Sequence, residues 1–255
     1  MSAGQLDVVG IGPGNPKWIT PEAASVLAQA TDLVGYSAYL ARVPTQDCQT
    51  RHSSDNRQEL NRARQALSLA AKGRAVALVS GGDPGVFAMA AAVFEAIEAT
   101  SPIWDDVQVT IVPGITAMQA ASARIGAPLG HDFCAISLSD NLKPWAVIER
   151  RLVAAAEADF VVAIYNPASK ARPDRIQEAF ARLRRTRLAT TPVVFARAIG
   201  RTDERIEITT LAEADPTKAD MSTLIIVGSS ETRLIARQAP ASPYVYTPRS
   251  YGARR

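Results

Sequence analysis

"DVVGIGPGNPKWITPEA", residues 7–23, decides how the chain is read. Residues 7–11 form an apolar run that reads as a strand, and Gly10, Gly12 and Gly14 follow closely. A dinucleotide loop opens this way, but its third glycine is missing because position 15 is Asn15. The helix also starts late. Thr20 with Pro21 behind it reads as an N-cap and first helical residue, which leaves residues 15–19 between glycines and helix. A phosphate loop works because its glycines open directly onto the N–H donors of a helix. Asp32 stands at about the distance expected for a ribose-binding acid, so a dinucleotide-dependent oxidoreductase stays open as an alternative.

The same grammar recurs in "ALVSGGDPGVF" at 77–87 and in "VTIVPGITAMQAA" at 109–121. In a parallel α/β sheet, turns that follow the carboxyl ends of strands gather on one edge, where ligands bind. Glycines there let the backbone approach a ligand closely. Asp83 would offer a carboxylate and Thr116 a hydroxyl. Turn chemistry explains any one of these segments alone; three of them after three strands point to a ligand site. Outward from these turns, strand patterns fall at 33–35, 75–80, 107–112, 135–137, 160–165, 193–197, 206–209 and 224–227. Helical patterns fall at 21–30, 57–72, 86–99, 116–125, 144–156 and 173–185. This alternation predicts an α/β fold, and several continuous β-branched runs suit strands covered on both faces. The segment "RIGAPLGHDF" (124–133) is expected to lead into a second layer, and the Pro-rich tail to be extended. The expected division is a glycine-turn domain over 1–115 and a second α/β domain over 116–255.

The 255 residues suit one large domain or two ordinary ones, and 47% apolar content argues against disorder. Net charge is +3, and the one basic run, "RLRRTR" at 182–187, is expected as a solvated helix face. With few aromatics beside it, nucleic acid is not an expected partner. Cys48 and Cys134 form no C-x-x-C, and His52 and His131 are the only histidines, so neither a disulfide framework nor a metal site is expected. No run reaches eighteen apolar residues and none reads as a signal peptide; the expectation is a cytoplasmic protein without a membrane partner.

The segments "VGIGPGNP", "SGGDPGVF" and "VPGITAMQAASARIGAPL" resemble three motifs of the tetrapyrrole methylase family. The resemblance continues through "SLSDNLKPW", "DFVVAIYNPASKARPDRI", "TLIIVGSS" and "TPRSYG", which are similar to the branch that methylates precorrin-3B at C-17 and contracts the ring to precorrin-4 in cobalamin biosynthesis. It implies S-adenosylmethionine as cofactor, a homodimer, and a cofactor held in the cleft between two α/β domains. By the same resemblance the cofactor is lined by Pro13, Gly81, Gly82, Asp83, Val86, Thr116, Ala117, Asn166 and Ala198. At position 15 many relatives carry Asp where this chain has Asn15.

The carboxylates of a tetrapyrrole call for cations, and Lys170, Arg172 and Arg197 follow expected strands. Ring contraction also moves a proton and opens a lactone, for which Ser139 and Asp140, with His131 and Asp132, are the acid–base candidates. Three alternatives remain at this point: methylation at another precorrin carbon, the oxidoreductase above, and a non-catalytic binding module.

Overall fold

The computed structural model describes residues 4–56, 58–168 and 174–252. The chain divides into two compact units, Met1–Ala117 and Met118–Arg255.

The first unit contains β1 (Gly4–Gly10), α1 (Pro21–Gln29), β2 (Asp32–Tyr36), α2 (Ser37–Leu40), β3 (Thr50–Ser54), α3 (Glu59–Ala70), β4 (Ala75–Ser80), α4 (Met89–Thr100) and β5 (Val107–Val112). Its five strands are all parallel, in the order β3-β2-β4-β1-β5. Side chains alternate across this sheet. Leu6 and Val8 pack with α3 and α4 through Ala63, Leu67, Met89 and Val93. Val9 and Ile11 pack on the other face with Ala23 and Leu27 of α1. The Thr20 hydroxyl accepts from the Ala23 amide (3.1 Å) and Pro21 opens α1, as the sequence predicts. Between the first glycines and this helix lies a single short 3₁₀ turn, Pro16–Trp18, capped by Asn15.

The second unit holds α5 (Ala117–Ile125, whose first residue lies at the division), β6 (Gly126–Ala127), β7 (Phe133–Ser137), α6 (Trp145–Glu157), β8 (Val161–Tyr165), α7 (Arg175–Thr186), β9 (Pro192–Arg197), β10 (Arg205–Thr210), β11 (Thr223–Val227), β12 (Arg233–Ile235) and β13 (Tyr244–Tyr246). Its main sheet has the order β10-β9-β11-β8-β7. Only β7 and β8 pair in parallel; β11 runs antiparallel to both β8 and β9, and β10 antiparallel to β9. Consequently β7, β8 and β9 point the same way, and their carboxyl ends share one edge. Ile148 and Leu152 of α6 and Ile176, Phe180 and Leu183 of α7 close the core over Val162, Ile164, Phe195 and Ile225.

The tail carries an extended strand: β13 pairs antiparallel with β12 and parallel with β6, which lies inside "RIGAPLGHDF". The helical part of "RLRRTR" is solvated as expected, with Arg184, Arg185 and Thr186 exposed, and the turned-in cation is Arg187, just past the helix end. Arg187 is buried against Asp159, Arg184 donates to the Leu211 and Ala214 carbonyls, and Arg182 pairs with Glu149. The expected helix starts at Arg57 and Pro173 lie outside the described residues.

Candidate active site

The three glycine turns of the first unit meet. Gly12 and Gly82 exchange both backbone hydrogen bonds (3.2 and 3.0 Å), which ties the first turn to the second. Gly114 closes the set: a Cβ there would stand 2.3 Å from the Gly82 carbonyl oxygen, closer than any real contact. The second turn is fastened to the third by Asp83. One carboxylate oxygen accepts from the Gly85 amide (2.8 Å) and the other from the Gly114 amide (3.0 Å). Each oxygen keeps lone-pair capacity for a ligand. Gly82 has φ +69° and its missing Cβ would face open space, with the nearest atom, the Ile115 carbonyl oxygen, at 4.0 Å. The edge is therefore a backbone cradle with room beside it.

Two residues that sequence reading missed hold this cradle. Arg42 donates to the Ile11 and Gly12 carbonyls (3.0 and 2.8 Å). Tyr39 lays its ring where a Gly81 Cβ would be, at 2.6 Å. Pro13 and Val86 are half-buried in the first and second turns, and Thr116 is buried just before α5.

The dinucleotide alternative fails on Asp32. That residue begins β2, at the edge opposite the turns, and is 1% exposed. Arg74, His52 (2.8 Å) and the Thr31 hydroxyl (2.8 Å) occupy its carboxylate. No face remains for a ribose.

In the second unit the shared edge carries Ser139 and Asp140 after β7, Asn166 after β8, and Ala198 after β9. Asn166 and Ala198 both have left-handed backbone, φ +49° and +51°. Non-glycine residues in that region mark strain that surrounding structure must maintain, and such positions cluster at functional sites. The Asn166 amide group donates to the buried Ser137 hydroxyl (2.9 Å), and the Ser139 amide donates to the same oxygen (3.3 Å). Tyr165 adds a second tie: its hydroxyl accepts from the Met118 amide (3.1 Å) in the first turn of α5, beside Ala117. Ser137 stands two residues before Ser139 and Tyr165 stands next to Asn166, so the candidates drawn from the sequence mark their neighbourhood without naming them.

Asp140 does not cap α6, which Pro144 enters without a side-chain cap. Arg175, at the start of α7, binds it at 3.0 Å and lies 4.9 Å over the Trp145 ring. His131 and Asp132 are not part of this group. They enter β7 while Ser139 and Asp140 leave it, a separation of roughly 20 Å along the strand. The His131 ring accepts from the Asp132 amide (2.8 Å) and lies 6.0 Å from the Tyr251 ring.

Arg197 is engaged internally. It donates to Asp220 and Asp203, both at 2.8 Å, and the hydrogen bond from Arg197 is the main cause holding the Asp203 carboxyl below its ordinary value. These pairs use two of its five N–H donors, and the guanidinium stays partly exposed. Lys170 and Arg172 lie outside the described residues. Among the described residues no cluster of His, Cys, Asp and Glu is arranged to hold a metal ion, and no helix is long and apolar enough to cross a membrane.

The first unit's parallel sheet ends in a glycine cradle and the second unit's five-stranded mixed sheet ends in strained Asn and Ala, so each is an α/β unit with its candidate residues at a strand-exit edge. Residues 5–215 match the model of the Tetrapyrrole (Corrin/Porphyrin) Methylases, and the chain belongs to that family. It is 58% identical over 248 residues to a precorrin-3B C(17)-methyltransferase from Sinorhizobium sp, covering 97% of each chain. It is 50% identical over 252 residues to the cobalamin biosynthesis protein CobIJ of Mycobacterium bovis; that match covers 97% of this chain and 48% of the relative. The crystal structure of the methyltransferase CobJ superposes with a TM-score of 0.90 at 49% identity, covering 96% of this chain and all of that one.

Proposed function

We propose that this chain is an S-adenosylmethionine-dependent C-methyltransferase that methylates precorrin-3B at C-17, with ring contraction to precorrin-4, in cobalamin biosynthesis. The observation that carries it is the 58% identity to a precorrin-3B C(17)-methyltransferase along 97% of both chains. The cradle suits the cofactor: backbone donors and acceptors, one carboxylate with spare lone pairs, and room above Gly82. Bound S-adenosylmethionine would supply an electrophilic methyl group on a thioether leaving group.

The protein's own work is then alignment. Gly81, Gly82, Asp83, Pro13 and Val86 hold the cofactor, with Thr116, Ala117, Asn166 and Ala198 as its further contacts. Rigid turns suit that task, since near-attack alignment alone contributes about 7–11 kcal/mol in good systems. No activated nucleophile is required of the protein, because the attacking carbon belongs to the substrate. Contraction is the step that needs proton transfer, and Asp140, oriented by Arg175 with Ser139 beside it, is the group proposed for it. Lys170, Arg172 and Arg197 remain proposed partners of the substrate carboxylates.

The same reading carries a homodimer in the cytoplasm. The exposed side chains Leu234 and Ile235 on β12, with Tyr244 on β13, support a partner surface, and Cys48 and Cys134, both free, suit a reducing compartment. Incubating the protein with S-adenosylmethionine and precorrin-3B tests the function. The expected result is S-adenosylhomocysteine together with a singly methylated, contracted product by mass and absorbance. A product methylated at another carbon, or no turnover, overturns it.

A further inference from the structure

Arg62, near the start of α3, is 4% exposed. Its Nε donates to the Ser54 hydroxyl (2.8 Å), one terminal nitrogen to the Asp55 carbonyl (2.7 Å) and the other to the Met89 thioether (3.4 Å). None of these partners is a carboxylate, and two of the five N–H donors of the guanidinium remain. Glu59, one turn earlier on the same helix, acts on it only at a distance, and burial, the largest influence, pushes the guanidinium below its ordinary value. A buried charge is costly unless an opposite charge meets it. Arg187, the buried arginine of the second unit, shows the usual solution, with Asp159 against it.

Two phenols stand with Arg62. Tyr36 ends β2 and Tyr39 lies in α2; both are half-buried, and their rings meet edge to face with centroids 5.3 Å apart. Both side chains lie within electrostatic reach of the guanidinium, and among the described residues neither hydroxyl has a hydrogen-bond partner. The oxygen-bearing carbon of the Tyr39 ring, Cζ, is 2.6 Å from where a Gly81 Cβ would stand, so the cluster adjoins the second glycine turn. It is not the cradle itself. In the strand order β3-β2-β4-β1-β5 the cradle joins the exits of β4, β1 and β5, whereas Ser54 and Tyr36 mark the exits of β3 and β2, on the far side of β4.

We propose that Arg62, with the Tyr36 and Tyr39 hydroxyls, forms a subsite for one carboxylate side chain of the tetrapyrrole substrate; this rests on the methyltransferase reading above. Guanidinium N–H and phenol O–H groups are donors that a carboxylate accepts from, and its charge supplies what the buried cation lacks. The carboxylate of the cofactor is the competing occupant, and electrostatics argues against it. That carboxylate carries an ammonium group on the neighbouring carbon, which a buried cation repels and which needs acceptors of its own. The Ser54 hydroxyl and the Asp55 carbonyl already accept from Arg62. A side-chain carboxylate of a tetrapyrrole brings no such ammonium.

The experiment compares wild type with Tyr36→Phe/Tyr39→Phe, which removes both hydroxyls and keeps both rings, and with Arg62→Gln and Arg62→Lys. It measures KM and kcat for precorrin-3B and the thermal midpoint. Calorimetry gives the dissociation constants of S-adenosylhomocysteine and of methylthioadenosine, which lacks the amino-acid head. The expected result for the double Phe variant is a KM raised roughly tenfold or more, with kcat, midpoint and both dissociation constants near wild type. Arg62→Gln should raise KM further, and Arg62→Lys should recover part of that loss. Should Arg62→Gln fail to fold, the Phe variant decides alone. An unchanged KM in the Phe variant, or a midpoint that falls with it, overturns the proposal. Weaker S-adenosylhomocysteine binding with methylthioadenosine unaffected assigns the cluster to the cofactor carboxylate and overturns it as well. Wild-type protein that neither binds nor methylates precorrin-3B overturns the enzyme reading itself.

Discussion

Replacing Asp83 by alanine removes two acceptors at once, from the Gly85 and Gly114 amides. It also removes the carboxylate proposed to face the cofactor; a hydrogen bond to a charged group is worth about 1.5–3 kcal/mol, so S-adenosylhomocysteine should bind at least roughly tenfold more weakly to Asp83→Ala, read by calorimetry. Gly114→Ala should do more damage. Its Cβ meets the Gly82 carbonyl, a backbone atom that cannot swing aside, so the expected outcome is loss of measurable cofactor binding. Gly73 is the internal control: its added Cβ meets nothing within 4 Å, so Gly73→Ala should cost stability through its φ of +79° and leave cofactor binding intact. At this scale the sequence is informative because turn chemistry is local. Gly-Gly-Asp-Pro declares a turn by itself, and Thr-Pro declares a helix start. What it does not declare is which glycine touches which. The contact of Gly82 with Gly114 depends on strands pairing in register, and the part Asp83 plays as a fastener appears only once its two amides are in place.

Individual elements were readable in type more than in direction. The runs that became β8, β9 and β11 are equally apolar and β-branched, and nothing in such a run tells an antiparallel neighbour from a parallel one. Direction matters here because it gathers Ser137, Asn166 and Ala198 on one edge and sends His131 to the other. The pairing of Asp140 with Arg175 spans 35 residues and is invisible to any local pattern. Removing the carboxylate charge tests its role. Asp140→Asn should retain production of S-adenosylhomocysteine while formation of the contracted product slows by roughly 10²–10⁴-fold, the usual cost of a lost general acid or base. A time course following both products decides it. Equal loss of both would make Asp140 a positioning residue, and His131→Ala should leave both rates near wild type.

Across the molecule, both sheets divide their labour in the same way. Exit edges carry the glycine turns, Asn166, Ala198 and the candidate chemistry; entry edges carry ion-paired carboxylates, Asp32 with Arg74 in one sheet and Asp159 with Arg187 in the other. A prediction about pH belongs to these entry edges. Burial pushes the Asp32 carboxyl upward, but hydrogen bonds from Arg74, His52 and Thr31 together outweigh it and hold the group below its ordinary value. A carboxyl depressed in the folded state contributes stability above its unfolded value, about 3.9, and that contribution fades as pH falls through the lower folded value. Asp32→Asn should therefore lower the urea midpoint at pH 7, a loss on the order of 1.5–3 kcal/mol for a charged hydrogen-bonded group. The gap between variant and wild type should narrow as the pH is taken below about 4. Because Asp32 lies at the edge away from the glycine turns, the folded variant should bind S-adenosylhomocysteine as wild type does. A gap independent of pH would assign the cost to packing, and weakened cofactor binding would show that the two edges are coupled through the strands.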